Sequence, residues 1–399
     1  MALRALHLVK TSAGASWAYR QMRELKKLGI DVHVAAPDGP LIPLYDKAGV
    51  KVHIGQYDIS QSALGRIPDL LSRFKRLVSG VGPDIIHSHF VGTSMTMRLA
   101  MGRHGGPPRI FQVPGPLHLE HRFFRVAEIL TAGSSDYWIG SCRWTCDRYK
   151  SSGVKADRIF LSYYGGDLSE LVTHERGKLR HELGLSADTP IVGMVAYMYG
   201  PKRYLGQLHG LKGHEDLIDA MTFVAAKVPN AVCVMVGSAA PGAEGYEKRV
   251  RCYAQRRASR VVFLGHRNDV PMLYPDFDVA VHPSHSENLG GALESLLLRI
   301  PTVATDTGGF RDIVIPGRTG WLVPPRRPEK LGAAIVDALL SVDRARQFAV
   351  AGRSLALSLL NVQRTAAEVK QVYLEVLRRH ANSTSPGPAA LSMASRVQS

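Results

Sequence analysis

The stretch HPSHSENLGGALESLLLRIPTVAT, residues 282–305, decides the fold of this 399-residue chain. The short apolar run that leads into it, residues 279–283, is typical of a buried strand closed by a proline. A polar loop with two glycines follows, then good helix formers over 291–298 and a second apolar strand over 301–305. This order predicts half of a doubly wound parallel α/β sheet. Such sheets bind ligands at the carboxyl ends of their strands, where this loop lies.

The loop carries groups that suit a nucleotide sugar. Gly290 and Gly291 allow the backbone to approach a ligand closely. The free N–H groups of the helical turn that follows favour an anion such as a pyrophosphate. Glu294, about one turn into the helix, can accept hydrogen bonds from two ribose hydroxyls, and Glu287 can reach a second polyol. A plain glycine-rich turn with two solvated glutamates is the alternative interpretation.

The stretch resembles the signature of retaining, family-4 type glycosyltransferases (glycosyl transferases group 1), which have the GT-B fold. The matching residues are Pro283, Ser284, Glu287, Gly290, Glu294, Pro301 and Ala304. Two departures stand out: the glutamates are seven residues apart, one fewer than usual, and Arg299 replaces the usual glycine. The resemblance implies an α/β protein of two doubly wound, Rossmann-like domains that face a cleft, with the donor bound mainly by the second.

The resemblance also implies further donor contacts in the second half. Lys212 matches a phosphate-binding lysine of the family, and an arginine should stand near it. Either Lys202 or Arg203 fits that role, and Arg203 is chosen because its fork of donors matches phosphate geometry. The loop that borders the nucleotide base in the family contains Gly265 and His266. The predicted donor-binding set is Arg203, Lys212, Gly265, His266, Glu287, Leu289, Gly290, Gly291 and Glu294.

The first half matches the family less closely. Gly14 lies in the first strand–helix loop, which approaches the acceptor in the resembled enzymes, although a tight turn explains it equally well. His118 follows a strand and a Pro-Gly-Pro turn, and the resemblance makes it, with Glu287, a catalytic candidate near the donor sugar. His121 is the second choice for this histidine. Arg122 starts a segment of alternating cations and aromatic rings, which suits an acceptor phosphate or lipid headgroup, or else a partly buried helix start.

No metal or cofactor is expected beyond the donor itself. The triplet Asp276–Phe277–Asp278 looks like the DxD metal motif of another glycosyltransferase fold, but its second aspartate starts a strand, so a structural role is predicted. His118 and His121 lack a third ligand for zinc. His87 and His89 point to one side of a predicted strand, and a structural role is favoured for both.

Composition limits the classes of function. The chain is 45% hydrophobic and 21% charged, as globular proteins are, and contains no apolar run of the roughly 20 residues that span a bilayer. Four cysteines make no disulfide framework, which favours the cytoplasm. The net charge of +16 favours an anionic partner, including an anionic membrane surface. No nucleic-acid module is recognisable, so nucleic acid is not an expected partner.

The predicted domains are an acceptor-side domain over 1–168, a linker over 169–188 and a donor domain over 189–362. A helix over 363–380 should cross back to the first domain, and residues 382–399 form a tail with little to bury. The predicted function is retaining, metal-independent transfer of a hexose from a nucleoside-diphosphate sugar to a hydroxyl acceptor. The acceptor can be lipid-linked, in cell-envelope, polysaccharide or glycolipid synthesis at the inner face of the membrane. A sugar-nucleotide 2-epimerase and a non-catalytic basic protein that binds membrane or nucleic acid remain as alternatives.

Overall fold

The computed structural model describes residues 2–59, 65–115, 117–166, 174–201, 206–257 and 260–384. The first half contains a seven-stranded parallel sheet in the order β3-β2-β1-β4-β5-β6-β7. Its strands are β1 (Arg4–Leu8), β2 (Asp31–Ala36), β3 (Lys51–Ile54), β4 (Ile85–Ser88), β5 (Arg109–Val113), β6 (Asp136–Gly140) and β7 (Ile159–Leu161). Its helices are α1 (Ser16–Lys27), α2 (Ile42–Lys47), α3 (Ile67–Val81), α4 (Val91–Met101), α5 (Leu117–Glu120), α6 (Arg122–Thr131) and α7 (Arg143–Ser151).

The second half contains a six-stranded parallel sheet in the order β10-β9-β8-β11-β12-β13. The strands are β8 (Ile191–Val195), β9 (Val232–Val236), β10 (Val261–Gly265), β11 (Val279–His282), β12 (Thr302–Thr305) and β13 (Trp321–Val323). The helices are α8 (Lys178–Glu182), α9 (His214–Ala225), α10 (Glu244–Arg256), α11 (Val270–Leu273), α12 (Gly290–Leu297), α13 (Phe310–Ile313), α14 (Pro328–Leu340), α15 (Val342–Leu359) and α16 (Val362–Thr384). The strand, loop, helix and strand predicted around residues 279–305 are thus confirmed as β11, α12 and β12.

Each sheet reverses its strand order at its first strand. β1 lies between β2 and β4, and β8 lies between β9 and β11. Neighbouring strands of both sheets are parallel, and their register places Ala5 beside Ile85 in the first sheet and Val192 beside Val279 in the second. This reversal of strand order opens a crevice at the carboxyl ends of the two strands that diverge there. Each half therefore has one sheet edge at which a ligand can bind.

Buried side chains join the two halves beneath the predicted donor loop. Cys142 and Tyr163 of the first half share one apolar cluster with Leu289, Leu296 and Phe310 of the second. The last helix, α16, packs against α1 of the first half. Because α12 rests on residues from both halves, its position depends on how the halves meet.

The aspartates of the DxD-like triplet hold local structure, as predicted. Asp276 Oδ2 accepts the N–H of Leu179 at 2.7 Å, at the start of α8, and Asp276 Oδ1 accepts that of Gly177 at 2.8 Å. Asp278 Oδ2 accepts the N–H of Ile191 at 2.8 Å and the guanidinium of Arg180 at the same distance. These carboxylates fasten the chain segment before β8 to the second sheet.

Within the described residues, no helix combines the length and apolar character that crossing a bilayer requires.

Candidate donor site

Helix α12 begins in the predicted glycine loop. Leu289 precedes its first turn and makes no side-chain cap, so the first N–H groups face the cleft without a protein side chain to satisfy them. The Leu289 side chain is buried in the cluster between the halves, so only its backbone can reach a ligand. Gly290 is exposed, and a Cβ there would meet no atom within 4 Å. The start of α12 is therefore open to an anion.

Two connected cavities lie at this edge of the sheet. The first, here called the inner cavity, has a volume of about 160 Å³ and contains Lys212, Ser284 and Glu287 in its wall. The second, here called the outer cavity, has a volume of about 240 Å³ and contains His266 and Glu294. Both are lined by Val195, Ala196, Tyr197 and Gly291. The two cavities thus form one cleft that passes over the start of α12.

Lys212 and Glu287 form an ion pair in the inner cavity. Glu287 is also held from its own loop, because Ser284 Oγ lies 3.4 Å from Oε2 and the N–H of Asn288 donates to Oε1 at 3.2 Å. Both charged side chains are about four-fifths buried, at 19% and 13% exposed. A partly desolvated cation at this position can attract a phosphate, and the paired carboxylate fixes where the cation stands.

The backbone around Lys212 is fastened to the donor loop. Gly213 has a φ of +72°, and a Cβ at this residue would lie 2.1 Å from the carbonyl oxygen of Pro283. His285 Nε2 lies 2.7 Å from Asp216 Oδ2, and the N–H of His285 donates to the carbonyl of Leu211. The sequence therefore needs glycine after Lys212, because any side chain there would push the loop away.

Glu294 stands at the floor of the outer cavity. Its carboxylate is open to the cleft, and burial by surrounding protein atoms raises its pKa, while the hydroxyl of Tyr274, 3.5 Å from Oε2, lowers it. Across the cavity the ring of His266 stacks on Tyr197, with 6.1 Å between centroids. Gly265 ends β10 with a φ of +68°, which turns the chain towards this wall. A carboxylate facing two stacked rings across a narrow slot suits a nucleoside.

The histidine beneath α12 is structural. His282 is buried, its Nε2 lies 3.0 Å from Ser295 Oγ, and burial lowers its pKa to about 3. Ser295 in turn accepts a hydrogen bond from Thr302 Oγ1 at 3.0 Å. A neutral imidazole thus ties β11 to α12 and β12 without placing a charge under the helix start.

The first-half candidates do not line the two cavities. His118 is only 6% exposed, with its Nε2 3.0 Å from Glu128 Oε2 and 3.2 Å from the hydroxyl of Tyr149. The ring of His121 packs on Phe124 at 5.3 Å, and Arg122 is exposed on α6. Gly14 has a φ of +75° in an exposed loop after β1. Their assigned roles therefore stay predictions, and that of Arg203 falls outside the described residues.

Two contacts that sequence reasoning missed cross from the first half to the donor loop and its neighbour. Glu120 on α5 hydrogen-bonds Ser286, next to Glu287; burial raises the Glu120 pKa, and Ser286, His118, Arg148 and Arg326 lower it. Asp312 on α13 accepts the N–H of Arg143 at 2.8 Å and the hydroxyl of Tyr163 at 3.0 Å. Burial raises the Asp312 pKa, although both hydrogen bonds oppose that rise. Nothing in one sequence signals either contact, because their partners lie more than 100 residues apart.

Among the described residues, one group could satisfy the geometry of a metal site. His7, His87 and His89 are buried and their ring nitrogens lie within 4.8 Å of one another. All three rings are engaged, however, in hydrogen bonds with each other or with Tyr164 and Tyr373. These bonds give five of the six ring nitrogens a partner and support the structural role favoured for His87 and His89, whereas His87 Nε2 has no partner among the described residues.

Two Rossmann-like halves with a cleft at the edge of the second are the architecture of the GT-B fold. The profile described as Glycosyl transferases group 1 matches residues 203–355, and that described as Glycosyltransferase Family 4 matches residues 14–170. The chain belongs to this family of GT-B glycosyltransferases. The GT-B fold and the glycosyltransferase class expected from the sequence are thereby confirmed.

Similarity to individual proteins is moderate. The chain is 31% identical over 374 residues to 2-deoxystreptamine N-acetyl-D-glucosaminyltransferase of Streptomyces fradiae, covering 83% of each protein. It is 27% identical over 266 residues to D-inositol 3-phosphate glycosyltransferase of Xylanimonas cellulosilytica, covering 64% of this chain and 60% of that protein. The crystal structure of Anabaena HepE with UDP and glucose superposes with a TM-score of 0.74 at 21% identity, covering 93% and 99% of the two chains. The two sequence relatives are named as glycosyltransferases with different substrates, and the HepE structure has the same fold.

Proposed function

We propose that the protein transfers a hexose from a nucleoside-diphosphate sugar to a hydroxyl acceptor, with retention of anomeric configuration and without a metal ion. The observation that carries the proposal is the continuous cleft from Glu294, past the uncapped start of α12, to the Lys212–Glu287 pair. A ribose fits the carboxylate, a diphosphate fits the helix start, and the hexose then lies beside Glu287. HepE, which has the same fold, was crystallised with UDP and glucose, which supports a donor of this class.

In this proposal the charges of the site act on the leaving group. As the bond between the anomeric carbon and the phosphate breaks, negative charge develops on the diphosphate. The N–H groups of α12 and the ammonium of Lys212 stabilise that charge, and Arg203 adds a second cation. Glu287 orients Lys212 and accepts hydrogen bonds from hexose hydroxyls. His118 has its Nε2 engaged with Glu128 and Tyr149, so its Nδ1 is the atom assigned to a sugar hydroxyl.

The donor assignment is tested by replacing Glu294 with alanine. Loss of two hydrogen bonds that ribose hydroxyls donate to the carboxylate should weaken UDP-glucose binding about 100-fold, measured by isothermal titration calorimetry. Glu329→Ala, an exposed glutamate at the start of α14, is the matched control and should bind normally. If Glu294→Ala binds UDP-glucose as tightly as the native protein while folded, the proposed nucleoside position is wrong.

Turnover separates the remaining assignments. Lys212→Ala should abolish consumption of the donor while the protein stays folded, because the departing diphosphate loses its cation. NMR of the product shows whether the anomeric configuration is kept, and full activity in excess EDTA supports a metal-independent reaction. Conversion of the donor without an acceptor would favour an epimerase, and salt-sensitive duplex binding without donor turnover would favour a non-catalytic protein.

A further inference from the structure

Helix α6 exposes an apolar stripe to solvent. Phe123, Val126 and Leu130 are 68%, 45% and 67% exposed. Their spacing of three and four residues places them along one side of the helix. Large apolar side chains aligned on one face indicate an interaction surface, unlike the single exposed leucines found on most proteins. These three residues are called the α6 stripe below.

The surroundings of the α6 stripe are basic and apolar. Arg122, at the start of the same helix, is exposed, and so is Leu99 on the adjacent helix α4. Contact between Thr131 Oγ1 and the sulfur of Met95 joins α6 to α4, and α4 also packs on α3. Helix α3, which packs on α4, adds the exposed Lys75 and Arg76 to this half of the protein. Both acidic side chains of α5 and α6 are accounted for, because Glu128 is buried and Glu120 is bonded to Ser286.

The stripe follows in the chain a residue that contacts the donor loop. Helix α6 follows α5 directly, and Glu120 at the end of α5 reaches Ser286 in the donor loop. The start of α6, with Phe123, is therefore only a few residues from the contact between the two halves.

We propose that the α6 stripe docks the protein on an anionic lipid bilayer. Apolar side chains that enter the headgroup region and cations that meet anionic lipids are the two components of interfacial membrane binding, and both occur here. The net charge of +16 has the sign that this partner requires. Resting on the proposed function, this docking brings the acceptor hydroxyl from the bilayer, so the acceptor class is a membrane lipid.

Vesicle flotation of the full chain tests the proposal. The native protein should float with vesicles of phosphatidylcholine and phosphatidylglycerol, and much less with phosphatidylcholine alone. Leu130→Ser should weaken the partition into anionic vesicles about tenfold, because the leucine side chain no longer leaves water. The matched control is Leu340→Ser on α14, since Leu340 is 66% exposed but lies in the other half. Both leucines are exposed, so both variants should keep the native melting temperature.

Several results would overturn the proposal. Failure of the native protein to float with anionic vesicles would do so, as would equal losses for Leu130→Ser and Leu340→Ser. A dimer in light scattering that Leu130→Ser converts to a monomer would show that the stripe binds a second copy instead. Glu294→Ala must still float with vesicles. A native protein that floats with anionic vesicles but binds no nucleoside-diphosphate sugar would contradict the proposed function and leave the docking surface intact.

Discussion

At the scale of single residues, the protonation of Glu294 links the electrostatics of the cleft to its ligand. Burial raises the pKa of this carboxyl, and its ionised form accepts hydrogen bonds from ribose hydroxyls more strongly than its protonated form does. Affinity for UDP-glucose should therefore fall as the pH drops, starting above the pH at which an ordinary glutamate is protonated. Titration calorimetry from pH 8 to 4.5 measures this. Glu294→Gln should bind weakly at every pH, and a native affinity that stays constant over this range would contradict the assignment.

Gly213 shows how the backbone conformation of one residue determines where the charge of Lys212 lies. Alanine there would meet the Pro283 carbonyl oxygen as well as an unfavourable positive φ. Gly184 has a similar φ of +61° but nothing within 4 Å, so Gly184→Ala carries the conformational cost alone, about 1 kcal/mol. Gly213→Ala should lower the free energy of unfolding by more than that and also weaken donor binding, because Lys212 moves. Equal losses for the two variants in urea unfolding would mean that the loop accommodates the methyl group.

At the scale of elements, a chain of hydrogen bonds fastens α16 to β1 and β4. The hydroxyl of Tyr164 donates its one hydrogen to the carbonyl of Gln112 at 2.9 Å, so His89 Nδ1 must donate to that hydroxyl. His89 Nε2 then accepts from His7 Nδ1 at 2.8 Å. His7 Nε2 is left to accept from the hydroxyl of Tyr373, 3.2 Å away. These geometries fix the tautomers of His7 and His89, and Tyr373 carries the link to α16.

Removing the hydroxyl of Tyr373 should break this link. Tyr373→Phe leaves buried nitrogens of His7 and His87 without a partner, which should cost about 1–3 kcal/mol. The matched control is Tyr45→Phe, because the buried hydroxyl of Tyr45 has no hydrogen-bond partner among the described residues. That variant should be neutral or slightly more stable in chemical unfolding. Similar losses in both variants would show that the network contributes nothing beyond packing.

The same network makes the protein sensitive to acid. Burial lowers the pKa of His7 to about 3 and those of His87 and His89 well below their usual value. Below pH 6.5 the unfolded chain binds protons that the folded network does not, so stability is fully present above pH 6.5 and falls as the pH decreases. Each neutral histidine should contribute a loss on the order of 2 kcal/mol by pH 5. Urea unfolding at pH 7.5 and 5 measures the loss, which Tyr45→Phe should share and His7→Gln should reduce.

At the scale of the whole molecule, local pattern determined what the sequence could predict. The sequence predicts the β11–α12–β12 unit and the position of Lys212 before Gly213, because their contacts are made by neighbours in the chain or by backbone geometry. The Lys212–Glu287 pair was not foreseen, although both residues were assigned to the donor. The burial of His118 against Glu128 and the exposure of Phe123 depend on how α5 and α6 pack. A single sequence carries no signal for such packing.

Contacts between the two halves are the hardest feature to predict from the sequence. Replacing Asp312 allows the contribution of one such contact to be measured. Its carboxylate joins α13 of the donor half to the start of α7 and to Tyr163 of the first half. Asp312→Ala leaves Glu294 and Lys212 in place, so UDP-glucose affinity should stay within about twofold of native. Turnover of the donor should fall at least tenfold, because productive transfer needs the two halves in register and a small misplacement is costly.

Asp306→Ala is the matched control for this variant, since Asp306 makes an exposed ion pair with Arg311, the neighbour of Asp312 in α13. Exposed pairs contribute little, so its turnover and melting temperature should remain native. Calorimetric titration and donor consumption, measured on both variants, distinguish an effect on donor binding from an effect on the alignment of the two halves. Loss of donor affinity in Asp312→Ala equal to its loss of turnover would show that Asp312 shapes the donor half itself. Alignment of the halves would then rest on their other contacts, which include the hydrogen bond between Glu120 and Ser286 and the apolar cluster beneath α12.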